Sequence, residues 1–285
     1  MAAFEERKGH PMTKRSAALS YGVVLVCTCV LVAIAILPAA GAGQTAHDQE
    51  IMRQARRAYY NLRKEGLVEF QCEMIPDWNA ILAAQGAADA SANQRAMRTL
   101  EQLRFRVFMG ADDNVKVTHT VVDSSNSRET EGLQKIYGGM EQMVVGIYTT
   151  VSPFLLTSPF PTEETPFHLE EVDGAYRLAY KEGSADVETR MGKNYGVSEL
   201  KVTTAEFTSS IWPTFLKNPK GLLVNGYRAT YKGANAPGEI GLLVDMAYQE
   251  VSGLQLFQAL KVTANVGGET SRINVQFAGC QVKTR

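Results

Sequence analysis

Ile240-Gly241-Leu242-Leu243-Val244-Asp245-Met246-Ala247-Tyr248-Gln249 places an apolar side chain at every second position, and apart from Leu243 the intervening residues are small or polar. A side-chain period of two is that of a β-strand with one buried and one wet face. The arrangement repeats at Leu260, Val262, Ala264 and Val266 against Lys261, Thr263 and Asn265, and Gly267-Gly268 then supplies the positive φ values of a tight hairpin. Ile273, Val275 and Phe277 carry the return strand. Gly221 to Val282 therefore reads as an antiparallel meander. Beyond Phe277 the alternation slips by one residue at Ala278-Gly279, and a bulge there returns Cys280 and Val282 to the buried face.

Upstream of the meander the period changes. Ile51, Ala55, Ala58, Tyr59 and Leu62 recur at helical spacing and predict a helix over 49–65, closed by Gly66. Val68, Phe70, Cys72 and Met74 alternate as a strand, Pro76-Asp77 breaks it, and Asp77 is placed to cap a short helix through Trp78, Ile81 and Leu82. A second short helix through Ala96, Leu100 and Leu103 leads to a hairpin of Phe105–Met109 with Val115–Val121. The longest helical stripe follows, from Leu133 through Ile136, Tyr137, Met140, Met143, Val144, Ile147 and Tyr148 to Val151. Gly138, Gly139 and Gly146 each lower its intrinsic stability by about 1 kcal/mol relative to Ala, which predicts close packing or mobility there. Residues 152–166 hold four prolines among Phe154, Leu155, Leu156 and Phe160, the composition of an apolar lid or strap. Short strands at 167–172, 176–180, 187–191, 197–202 and 206–211 complete the pattern. The fold class is α+β: a large curved, half-barrel-like antiparallel sheet, with the N-terminal and central helices packed on one face. With no repeat or linker strong enough to mark a boundary, residues 43–285 read as a single domain.

The N-terminus carries an address. Lys14 and Arg15 precede an apolar run from Tyr21 to Leu37, and Pro38 and small residues ending in Ala40-Gly41-Ala42 follow, the order that signal peptidase reads. The run is shorter than the roughly 20 apolar residues of a membrane span, so residues 1–42 are expected to be a signal peptide, with an uncleaved membrane anchor as the alternative. Either reading places the protein outside the cytoplasm, in the periplasm or cell envelope. The whole chain has a net charge of −1, and residues 43–285 carry 25 basic against 28 acidic side chains. That balance argues against a nucleic-acid partner, whose phosphates demand clustered Lys and Arg.

No constellation has the spacing of a chemical step. His10, His47, His119 and His168 offer no pair one helical turn apart, Gly196-Val197-Ser198 lacks the second glycine of a nucleophile elbow, and Gly221 to Gly226 continues into Tyr227-Arg228 and not into a phosphate loop. His119 shares the apolar face of its strand, the usual setting of a hydrogen-bonded core histidine. The run Asp123, Ser125, Ser127, Glu129 has Arg128 where a calcium loop needs glycine, and reads instead as a helix-entry turn capped by Asn126 or Ser127. The chain is not expected to be an enzyme, nor to hold a metal or cofactor. In an oxidising compartment Cys72 and Cys280, alone beyond residue 42, predict a disulfide between the first and last strands.

An amphipathic helix, a strand ending at a break, interior helices and a long run of antiparallel strands, in that order over 46–285, resembles the bacterial lipoprotein-localisation superfamily of envelope carriers. Val251-Ser252-Gly253-Leu254-Gln255-Leu256 adds a weak local echo, although Phe257 stands close behind where proline is expected and no residue motif carries over. The resemblance implies a half-barrel holding acyl chains against a helical lid. The residues expected to line such a cavity are Tyr227, Tyr231, Val244, Met246 and Tyr248, with Phe154, Leu155, Leu156 and Phe160 as its lid. Two functions stay open: a carrier of a hydrophobic ligand such as a lipid or lipoprotein acyl chain, and a non-catalytic structural or protein-interaction module with an envelope protein as partner.

Overall fold

The computed structural model describes residues 45–84, 94, 97–121, 127–234 and 238–285. The expected export segment, Ala96 and the stretch Asp123 to Asn126 lie outside them. Among the described residues, twelve strands form one antiparallel sheet, accompanied by few helices. The strands are β1 (Leu67–Pro76), β2 (Phe105–Met109), β3 (Val115–His119), β4 (Phe167–Val172), β5 (Ala175–Glu182), β6 (Ala185–Met191), β7 (Val197–Thr203), β8 (Phe207–Asn218), β9 (Gly221–Gly233), β10 (Ile240–Val251), β11 (Leu254–Val266) and β12 (Glu269–Thr284). Their order across the sheet is β3-β2-β1-β12-β11-β10-β9-β8-β7-β6-β5-β4. The chain thus meanders from β4 to β12, and β1 then pairs with β12, bringing the start of the sheet alongside its end. β3 and β4 are the edges and do not pair, so the sheet is open.

The meander has the predicted register, with Val244 opposite Val262 and Leu260 opposite Val275, while Asp245 opposite Lys261 sits exposed on the other face. Gly267 and Gly268 both have positive φ, as does the Ser252-Gly253 turn between β10 and β11. β8 runs further than alternation suggested, through Pro213 to Asn218. Proline is tolerated because β7 stops pairing at Ile211; beyond it β8 hydrogen-bonds to β9 alone, leaving its other side an edge where a missing N–H costs no ladder bond.

Two helix boundaries depart from the sequence reading. α1 (Ala46–Arg57) starts at a Thr45–Asp48 capping box and buries Ile51, Met52 and Ala55, yet it ends eight residues before the expected Glu65. Backbone pairing wins over helical periodicity there: Tyr60 N–H donates to Leu222 O at 3.0 Å and Leu222 N–H to Ala58 O at 2.7 Å, bridging the chain to β9. This docking needs Gly221, whose φ is +131° and where a Cβ would stand 2.7 Å from the backbone of Tyr59 and Tyr60. α2 (Trp78–Ala84) is capped as expected, with Ala80 N–H donating to the Asp77 carboxylate.

The long helix α3 (Ser127–Leu155) runs past the expected Val151 and over Pro153, so Phe154 and Leu155 belong to it and not to a loop. Proline cannot donate to the Thr149 carbonyl four residues back; the Ser152 hydroxyl donates to that carbonyl instead, at 3.2 Å. α3 crosses the strands as it advances. Tyr137 packs on Phe105 of β2 and stacks on His119 of β3 at 3.6 Å, Tyr148 meets Phe70 of β1 and Phe257 of β11, and Phe154 meets Phe215 of β8. Close packing is not why α3 carries glycines, since a Cβ at Gly138, Gly139 or Gly146 would meet nothing within 4 Å. No described helix is long and apolar enough to cross a membrane.

Cys72 and Cys280 form the predicted disulfide. The β1–β12 register jumps from Gln71 opposite Gln281 to Glu73 opposite Ala278, so Cys72 faces the extra residues Gly279 and Cys280. Gly279, at φ +57°, is the bulge that the slipped alternation pointed to.

Candidate functional site

Two cavities lie against the same sheet on either side of the end of α3. The first, about 510 Å³, lies between α3 and the strands β9 to β12. Gln142, Met143, Gly146, Ile147, Thr149 and Thr150 form its helical wall, and Tyr227, Tyr231, Leu242, Val262, Ala264, Ser271 and Ile273 its floor. No charged side chain lines it. The floor follows from register, since Val262 stands opposite Ile273 and Leu242 opposite Ala264, bringing four apolar side chains of alternate positions together.

The second cavity, about 840 Å³, continues over β5 to β9 beneath residues 157–165. Val187, Leu200, Val202, Ile211 and Tyr180 lie in its floor, Phe160 and Pro161 in its wall, and Lys181 and Glu182 at its rim. Both volumes fall in the range of small-molecule sites. The loop wall is tied down by the N-terminal segment. Asn61 donates its side-chain amide to Thr157 O and Arg56 donates twice to Pro161 O, while Leu62 N–H holds the end of α3 by donating to Leu155 O at 2.9 Å.

The nine residues expected to line the site divide. Tyr227 and Tyr231 line the first cavity, and Tyr231 and Phe160 the second. Val244, Met246, Phe154, Leu155 and Leu156 are buried core and line neither. Tyr248 also lines neither; its hydroxyl donates to Val224 O and its ring packs on Phe257. None of the helical wall from Gln142 to Thr150 is among the residues expected to line the site, although Met143, Gly146 and Ile147 stand in the helical stripe of the sequence.

Electrostatically the first cavity is a neutral apolar space with a few hydroxyls. Burial pushes the Tyr227 phenol well above its usual pKa, with neighbouring Tyr231 adding to the shift, and burial raises Tyr231 likewise. Both are neutral hydroxyls at physiological pH. His119 is occupied by its stacking on Tyr137 and lies next to the Thr120 carbonyl, and His168 is exposed beside Glu170. Among the described residues no group of His, Cys, Asp and Glu could hold a metal ion. Comparison with protein families, curated proteins and solved structures finds no match to this chain.

Proposed function

We propose that this is an exported envelope protein that holds a hydrophobic ligand, the acyl chain of a lipid or lipoprotein, in the two cavities beside α3. The observation that carries the reading is the first cavity: a space of about 510 Å³ between a helix and a sheet, whose lining is mostly hydrocarbon with a few neutral polar groups and no charged side chain. Such a space left to water forfeits hydrophobic and dispersion free energy that an alkyl chain restores. A sheet of twelve twisted strands, about 53 Å wide at 4.8 Å per strand, curls rather than lying flat. Its concave side must then be filled, and α3, about 43 Å long at 1.5 Å per residue, fills it incompletely. A half-barrel with a helical lid is also what the resemblance to the lipoprotein-localisation carriers implies. The role is binding without catalysis, consistent with a site built of hydroxyls and hydrocarbon. The extent of the packed core around Tyr148, Phe70 and Phe257 favours, as the second reading, a protein-interaction module of the envelope.

Native mass spectrometry of the protein purified from the envelope of its own cells, with organic extraction of whatever it carries, separates the two. The carrier reading expects acyl-lipid adducts that extraction removes; a protein at its bare mass under gentle conditions overturns it in favour of the interaction module. N-terminal sequencing of the same sample checks export, with Gly43 expected first and Met1 or Met12 showing an anchor instead.

A further inference from the structure

The two cavities meet at a cluster of hydroxyls. Thr150 and Tyr231 line both, and their side-chain oxygens are 3.2 Å apart. Thr150 already donates to Gly146 O at 2.8 Å, so toward Tyr231 it accepts, and the Tyr231 proton is used there. Tyr227, in the floor of the first cavity, is 2 % exposed; Thr150 stands near enough to interact with its hydroxyl, but with the Thr150 proton committed to Gly146 O no hydrogen bond of good geometry reaches the Tyr227 hydroxyl among the described residues. A buried hydroxyl left unpaired is costly, and the cost is removed when an acceptor reaches it. The acceptor's charge is decided by its surroundings. With no cationic side chain in the first cavity, a carboxylate there would be desolvated without a counter-ion, whereas an ester carbonyl accepts from a neutral phenol without that penalty.

We propose that Tyr227 is the donor to the carbonyl of an uncharged acyl ester, whose chain occupies the first cavity and whose alcohol portion passes Tyr231 into the second. The proposal rests on the carrier reading and adds the ligand's chemical class. The second cavity suits a glyceryl-like portion, since Ser152, Thr157, Ser158 and Thr162 contribute to its wall.

The test is displacement of a pyrene-tagged alkane from the full exported protein by monopalmitoylglycerol and by palmitate, at about pH 8 where the carboxylate is ionised. The ester is expected to displace the probe at least about ten-fold more effectively than palmitate. Tyr227→Phe should weaken the ester about five-fold, the scale of one neutral hydrogen bond. The same variant should weaken the ester more than it changes alkane binding, with Tm equal or higher, because it deletes an unpaired group. Palmitate binding as well as the ester, or Tyr227→Phe leaving the ester's affinity intact, overturns the proposal while the alkane probe still binds. An alkane probe that never binds overturns the carrier reading as well. Diacylglycerol and a diacylglyceryl-cysteine peptide, compared in the same assay, distinguish a membrane-lipid source from an acylated protein, and preference for either supports the ester subsite.

Discussion

The two cavities share a sheet and differ in what covers it. Over β9 to β12 the wall is α3, whose backbone is satisfied within the helix; over β5 to β9 it is the loop 157–165, whose position depends on Asn61 and Arg56 reaching from the N-terminal segment. A helical wall keeps its shape without help, whereas a loop wall is only as fixed as its few tethers. The difference teaches where each property of the site resides: the shape of the first cavity in the sheet and α3, the accessibility of the second in α1 and the turn after it.

Breaking the floor of the first cavity should have the largest effect. β12 supplies Ser271 and Ile273 to that floor and is tied to β1 by Cys72–Cys280 across 208 residues. Reduction, or Cys72→Ser with Cys280→Ser, is expected to cost up to about 5 kcal/mol by loop-closure entropy, measured by urea unfolding with and without reductant. Gly221→Ala comes next, because its Cβ would stand within 2.8 Å of three backbone atoms of the 58–60 segment at a positive φ. A loss of about 3 kcal/mol or more is expected, with proteolysis of 157–165 rising as the segment holding Asn61 and Arg56 undocks. Arg56→Ala sharpens the comparison by removing one tether alone. It should lower stability by about 1–2 kcal/mol and speed release of the bound ester, whose alcohol portion lies under the loop. Gly146→Ala is the smallest change: its Cβ enters open space, and Tm should rise with a gain of about 0.5–1 kcal/mol. A fall in Tm would mean that the wall of the first cavity is tighter than the geometry indicates.

The meander was legible because one face is buried along its whole length, so each strand declares its register by alternation. The disulfide was legible because Cys72 and Cys280 are the two cysteines beyond residue 42, and the slip at Gly279 returns Cys280 to the face that holds Cys72. The end of α1 was not. Periodicity at Ala58, Tyr59 and Leu62 is helical, yet the strands of a distant segment offer Tyr60 and Ala58 better backbone partners. The candidate site was half legible. Tyr227 and Tyr248 both sit on apolar alternations, and only the tertiary structure shows that the Tyr248 hydroxyl is satisfied by Val224 O while that of Tyr227 lacks a well-formed hydrogen bond. Which alternate positions face a void depends on where α3 fails to cover the sheet, which no local pattern encodes.

The central claim, that the space between α3 and the sheet is an acyl site, is tested most directly by crystals grown with a monoacylglycerol brominated at the last carbon of its chain. The account predicts an anomalous bromine peak between Ile147 of α3 and Val262 or Ile273 of the sheet. A bromine peak on the outer face of the sheet beside Asp245 and Lys261, or a first cavity closed by side chains with no peak in it, would contradict it.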